Sequence, residues 1–318
     1  MRSFIFRRFI YAIISIIAAT FLVFGLSRLS GDPRLLYAKP GGYGNTEEQW
    51  EALGKKLGLD KPFHVQYLMY LGRTLKGDLG KTLLDERPVL DLFQELLWST
   101  VSLGIISWVF ATGLGIPLGI LSAVKRGTVW DYIARSIALL GVSMPTFWLA
   151  IILILIFAVN LGWLPAGTRG NFDGHWWQWK NLSYYVLPSF TLGIGAAAGY
   201  LRITRSAMLE VLDSEYVKLA RAKGVSNNVV IWKHAFKNAL IPPLTIAPLL
   251  MVSFITGVIV TESIFAWPGL GRIGVDAIGN NDFPVLTATV LFFAIIFAIV
   301  NFLTDIAYAF IDPRIRYS

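Results

Sequence analysis

The sequence contains no cysteine. That excludes disulfides, thiolate catalysis and cysteine-ligated zinc or iron–sulfur sites. Histidine is scarce too: His64, His175 and His234 are the only three, and no two stand close enough to suggest a metal motif. Charge is also thin, at 15% of the residues against 55% hydrophobic, with a mean hydropathy of +0.59. Soluble domains carry about 25% charged residues, so this balance points to a membrane. A complete phosphate loop is missing as well. "KGDLGKT", residues 76–82, ends in Gly80-Lys81-Thr82, but Leu75 stands where such a loop needs its first glycine. No apolar strand precedes Arg73, so nucleotide binding is disfavoured and any energy source must be sought outside the chain.

What is present is a set of six uncharged runs: Phe9–Leu26, Leu97–Val124, Ser136–Thr168, Asn181–Leu201, Asn238–Thr261 and Phe283–Thr304. Crossing ~30 Å of hydrocarbon takes about 20 helical residues, and each run supplies that, the shortest only just. Helices are required because backbone groups facing lipid must be satisfied within the segment. The first run follows Arg2, Arg7 and Arg8, as a cleaved signal peptide would. It exceeds the ~7–15 apolar residues usual for one, and Arg28 stands where small residues would be wanted. An uncleaved first helix is expected.

Basic residues set the orientation. Arg2, Arg7 and Arg8, Lys125, Arg126 and Arg135, the seven between Arg202 and Lys237, and Arg314 and Arg316 all fall on one side of the six-span scheme. Arg169, Lys180 and Arg272 alone occupy the short connections on the other. Positive charge stays cytoplasmic, so both termini are expected inside. Trp163, Trp176, Trp177, Trp179, Tyr184 and Tyr185 crowd one outer connection, as interfacial rings do. The net charge of +8 is thus topological, and no nucleic-acid partner is expected.

The expected organisation is a first transmembrane helix in 1–29, an external helical insertion in 30–97, and a five-helix core in 98–318. In the insertion, Thr46 and Gln49 match a capping box, Gly58 stops a helix, Pro62 opens a second, and Gly77 and Gly80 bracket a turn. That insertion is either a contact for a docking protein or a solvated cap. The core contains the connection 202–243, "RITRSAMLEVLDSEYVKLARAKGVSNNVVIWKHAFKNALIPP". Asp213 or Ser214 can cap a helix with Glu215 in its first turn and Gly224 as its stop. A second helical stretch, 226–240, ends at Pro242-Pro243. Residues alone leave two uses open: a docking helix for another protein, or an interfacial helix on anionic lipid.

At "EYVKLARAKG" and "HAFKNALIPP" the sequence resembles the EAA loop of bacterial ABC importer permeases, in the dipeptide/oligopeptide/nickel family, B-type subunit. The likeness runs nearly end to end, through "GDLGKT", "GIPLGILSAVKRG", "SMPTFWLAIILILIF", "LGWLPAG", "LPSFTLG", "TESIFAWPGLG" and "NFLTDIAYAFIDPRIR". One departure stands out: Tyr216 and Val217 replace the two alanines of the motif's name, and alanines follow at 220 and 222. The resemblance implies an all-α integral membrane protein with the six-helix type I importer permease architecture, in the bacterial inner membrane. It implies that Glu215, Tyr216, Ala220, Arg221, Ala222, Lys223 and Gly224 dock on a cytoplasmic ATPase as a coupling helix. It further implies a second, C-type permease, two ABC ATPases that hold the ATP and magnesium, and an extracytoplasmic binding protein. No cofactor is expected on this chain itself.

Pathway candidates are fewer. Gly113, Gly115, Gly119, Gly193, Gly195 and Gly199 suit close helix packing rather than a substrate path. Pro145 should kink the third span. Glu262 and Asp305 either pair structurally, Asp305 with a cytoplasmic arginine, or, for Glu262, receive the amino end of a peptide. Trp267, Pro268 and Gly269 resemble the family's outer gate. A stand-alone secondary transporter would show repeats and midplane carboxylates, which are not seen. A membrane enzyme would need a nucleophile or histidine–carboxylate cluster, also not seen. The expected cargo is a di- or oligopeptide, with oligosaccharides, nickel chelates or glutathione as alternatives.

Overall fold

The computed structural model describes residues 2–29, 34, 48, 51, 52, 54, 55, 58–83, 85–170, 178–280 and 282–311. The Thr46–Gln49 capping box, Trp176, Trp177 and the "DPRIR" tail lie outside the described residues. Among the described residues the regular elements are helical, and the one β-type contact is a bridge between Lys81 and Pro88.

The helices are α1 (Arg2–Leu29), α2 (Phe63–Leu75), α3 (Val89–Val124), α4 (Val129–Ser143) and α5 (Thr146–Leu153), the last continuing as a π-helical stretch, Ile154–Asn160. Then come α6 (Trp179–Leu212), α7 (Glu215–Ala222) and a composite α8. α8 is made of Asn227–Val229, a π-helical Val230–Phe236 and Lys237–Ala239. α9 (Ile241–Ile264), α10 (Leu270–Gly279) and α11 (Phe283–Ile311) complete the chain. Among the described residues four of these, α1, α3, α6 and α11, are long and apolar enough to cross a membrane, and the bent pair of α4 and α5 passes the same test when taken together as one span. α9 covers the fifth uncharged run with 24 residues, a rise of about 36 Å.

Of two expectations here, one is met and one changes. The third run is not one straight span. Met144 is extended (φ −87°, ψ 126°) before Pro145, and α4 meets α5 at 110°. Proline disfavours helical geometry in the residue before it, which places the break at that point. The expected kink is therefore present, and residues 161–168 of the run form a loop. The prolines 242 and 243 do not merely end a helix; they sit in the first turn of α9, where their missing N–H groups leave no bond unmade. In addition, α3 starts at Val89, so residues 89–97 of the external segment are continuous with the second span.

The core is the long α3–α6 contact, the most extensive in the molecule. Its closeness comes from small residues. A side-chain carbon on Gly119 would sit 2.7 Å from Thr204 Cβ, and one on Gly193 2.8 Å from the Ser107 carbonyl. Gly115 is equally crowded, 2.7 Å from Tyr200 Cβ, whereas Gly113 faces open space. Leu103, Ala111, Leu192, Ala196 and Tyr200 fill this seam, and Phe254 and Val258 of α9 close over it. α1 packs on α11, with Arg8 and Asp305 paired at 3.2 Å and Phe9 edge-on to Phe302 at 6.2 Å. Arg8 thus supplies the arginine expected for Asp305. At the other end of α1, Thr20 and Phe21 meet Tyr67 of α2.

"KGDLGKT" is a loop. Its Gly80 has φ +85° and accepts from the Val89 N–H (3.0 Å), while Asp78 accepts from the Gly80 N–H. The loop is pinned to the start of α11 by the Leu83 N–H, which donates to Asp282 at 2.9 Å. No helix opens at Lys81-Thr82, as a phosphate-binding loop would require.

Candidate functional site

α7 forms because the sequence supplies both of its ends. Ser214 takes the extended N-cap conformation (φ −71°, ψ 152°), although its hydroxyl donates back to the Val211 carbonyl instead of capping the helix. Glu215 sits in the first turn and bonds Lys218 at 2.8 Å, which raises the lysine's pKa from its ordinary value. At the far end Gly224 adopts φ +74°, a left-handed geometry that glycine takes without steric cost. Its N–H donates to Arg221 and that of Val225 to Ala220, closing the helix.

The 3.6-residue period then sorts the expected docking residues. Val217 and Ala220 point inward and pack on Val230 of α8. Ala220 therefore lies under the helix, not on its free face. Glu215, Tyr216, Arg221, Ala222, Lys223 and Gly224 are exposed. Sequence reasoning missed Leu219, which is 55% exposed between them, and Trp232 on α8, 56% exposed. An apolar side chain standing free at the centre of a polar helix was the available signal.

α8 ties this helix to the bundle. Ile231, Ala235 and Ala239 pack against Ile120 of α3 and Ala207 and Met208 of α6. Beside them lies an ion pair that the sequence did not reveal, its carboxylate buried and its arginine partly so. Arg205 on α6 reaches Asp131 on α4 through two bonds, at 3.0 and 3.1 Å. Ser122 donates to the same carboxylate at 2.6 Å and the Gly127 N–H at 3.0 Å. The Asp131 side chain thus fastens α3, the following turn, α4 and α6 together, at a point on α6 ten residues before α7 begins.

The pathway candidates gather at a different place, the turn between α9 and α10. Glu262 is fully buried. It accepts from Thr100 (2.7 Å) and from the N–H groups of Gly271 (2.7 Å) and Arg272 (3.1 Å). Thr100 in turn accepts from the Leu270 N–H at 2.8 Å. Glu262 and Thr100 together satisfy the first turn of α10, whose N–H groups have no partners within the helix. The carboxylate is consequently committed inside the fold, and the amino end of a peptide cannot reach it in this conformation.

Trp267 is also fully buried; its ring donates to the Ser99 carbonyl at 3.1 Å and stands edge-on to Tyr185 at 4.7 Å. Gly269 lies against the Glu262 carboxyl group, with no room for a side chain between them. Pro268 is half-buried beside them. The "LPAG" loop closes on this turn, with the Thr168 N–H donating to Phe265 at 2.7 Å. Pro145 stands apart and exposed, and the helix after it reaches the turn through Ala150 and Leu153, which pack with Leu187 and Phe265. Among the described residues no cluster of histidine and carboxylate side chains could hold a metal ion.

A family model described as a binding-protein-dependent transport system inner membrane component matches residues 115–317. The dipeptide transport system permease protein DppB of Alkalihalophilus pseudofirmus is 39% identical over the whole of both chains. The oligopeptide transport system permease protein AppB of Bacillus subtilis is 37% identical, again over the whole of both. The glutathione transport system permease protein GsiC of Salmonella typhi is 38% identical, with the same coverage. A solved inward-facing structure of the MetNI methionine ABC transporter shares the fold, with a TM-score of 0.55 at 20% identity over 70% of this chain and 96% of that one. From the end-to-end likeness and the matching core, the chain belongs to the family of inner-membrane components of binding-protein-dependent transport systems.

Proposed function

We propose that the chain is one of two permease subunits of an ATP-driven importer of di- or oligopeptides, with six spans and both termini in the cytoplasm. The observation that carries this reading is the free face of α7. A short helix closed by Gly224, its inner face packed on Val230 and its outer face showing Leu219 beside an exposed Tyr216 whose hydroxyl accepts from Asn238 of α8 at 3.2 Å, is a rigid contact surface. The partner that fits is a cytoplasmic ATPase that binds ATP and magnesium. Closure of two such ATPases would draw two α7-type helices together, and α8 would pass that displacement to α3 and α6. Since the described residues contain one such helix, a second, related permease supplies the other. An extracytoplasmic binding protein delivers the cargo. Full-length likeness to dipeptide and oligopeptide permeases supports peptide as that cargo.

Glutathione is the second reading, favoured by the equally complete likeness to a glutathione permease. Uptake of labelled dipeptide, tripeptide and glutathione by cells carrying the complete transporter separates the two. Gly224→Asp should abolish uptake of whichever is carried while the protein stays in the membrane. Undiminished uptake by that variant would remove α7 from the mechanism.

A further inference from the structure

Between α4 and α6 lies a cleft of about 590 Å³ whose lining includes neither the α7 face nor the α9–α10 turn. One end is basic: Arg135, Arg202 and Arg205 line it. The other end is apolar, lined by Leu139, Val142 and Ala198. The division follows the membrane boundary, because Arg135 immediately precedes the third uncharged run and Arg202 immediately follows the fourth. Arg205 is held by Asp131. Among the described residues neither Arg135 nor Arg202 has a carboxylate in ion-pair contact, and both side chains are exposed.

We propose that this cleft binds an anionic phospholipid, its phosphate on Arg135 and Arg202 and an acyl chain along Leu139, Val142 and Ala198. Arginine presents its donors in a fork that matches phosphate oxygens, and it sheds water more readily than lysine does. Basic pockets between membrane helices on the cytoplasmic side suit anionic headgroups, and a free ion would make no use of the apolar half. A lipid seated there spans the α4–α6 junction that Asp131 and Arg205 brace, Arg205 itself lining the cleft. Membrane composition would then bear on the stiffness of the block beneath α7.

Two measurements test this. The chain, with whatever subunits accompany it, is reconstituted in vesicles of phosphatidylethanolamine and phosphatidylglycerol, extracted gently, and its retained lipid counted by native mass spectrometry. Wild type should keep phosphatidylglycerol, and Arg135→Gln with Arg202→Gln should keep about tenfold less. Equal retention by the double variant, equal retention of zwitterionic lipid, or displacement by inorganic phosphate alone would each overturn the proposal. Because the chain has no cysteine, Leu139→Cys gives a single label that needs no other change. A spin label there should be broadened by phosphatidylglycerol carrying a chain-end spin label. Cross-linking of that cysteine to another permease subunit would show that protein, not lipid, fills the cleft.

Discussion

The α9–α10 turn and the α7 segment are made of similar parts, a short helix beside a glycine with one carboxylate at its start, from Glu262 of α9 in the first case and from Glu215 itself in the second. They dispose of their polar groups in opposite ways. At the α9–α10 turn, Glu262, Thr100 and the N–H groups of Leu270, Gly271 and Arg272 satisfy one another out of reach of solvent. At α7 the C-terminal end is closed locally by Gly224 and Val225, while Glu215, Tyr216 and Leu219 are exposed. The first arrangement holds the fold together and offers nothing to a partner. The second contributes little to the fold and offers a surface. A loop rich in recognisable residues can therefore serve structure or function, and burial separates the two.

The largest expected effect sharpens the comparison from just above α7. Asp131→Ala strands Arg205 in a mostly buried position, and breaking a buried pair costs about 3–5 kcal/mol. Thermal unfolding of the detergent-purified protein should register it as a large loss of stability. Glu262→Ala comes next. It leaves one hydroxyl and two backbone N–H groups without an acceptor, at about 2–4 kcal/mol in total. Glu262→Gln keeps an acceptor and should fall between. An unchanged melting temperature for Glu262→Ala would break the comparison, because the turn would then not depend on its carboxylate. Gly119→Val, which drives a side chain into Thr204 at the α3–α6 seam, should cost about 1–3 kcal/mol.

Much of this was legible in the sequence. The uncharged runs mark the membrane helices, and Ser214 and Gly224 mark the ends of α7, because helix length and termination are local properties. The kink at Pro145 is local too. What could not be read is partnership across distance. Glu262 and Thr100 are 162 positions apart, and Asp131 and Arg205 are 74 apart. Nothing in either residue's neighbourhood names the other. The inward turn of Ala220 was missed for a different reason. A motif gives spacing along the chain, whereas facing depends on which side of α7 meets Val230.

The smallest effects on stability belong to the free face. Tyr216→Ala and Leu219→Asp should each change stability by no more than about 0.5 kcal/mol, as exposed substitutions do. Each should nonetheless weaken docking by about thirtyfold, if the residue is an interface anchor worth about 2 kcal/mol. A stability loss as large as that of Glu262→Ala would erase the distinction between the two regions.

The most direct measurement is to tag the chain, extract it gently from membranes, and quantify the ATPase that accompanies wild type and the Tyr216→Ala/Leu219→Asp double variant. The wild type should bring down an ATPase, and the variant should lose it while melting at the same temperature. An equal amount of ATPase on the variant, with uptake intact, would contradict α7 as the docking site.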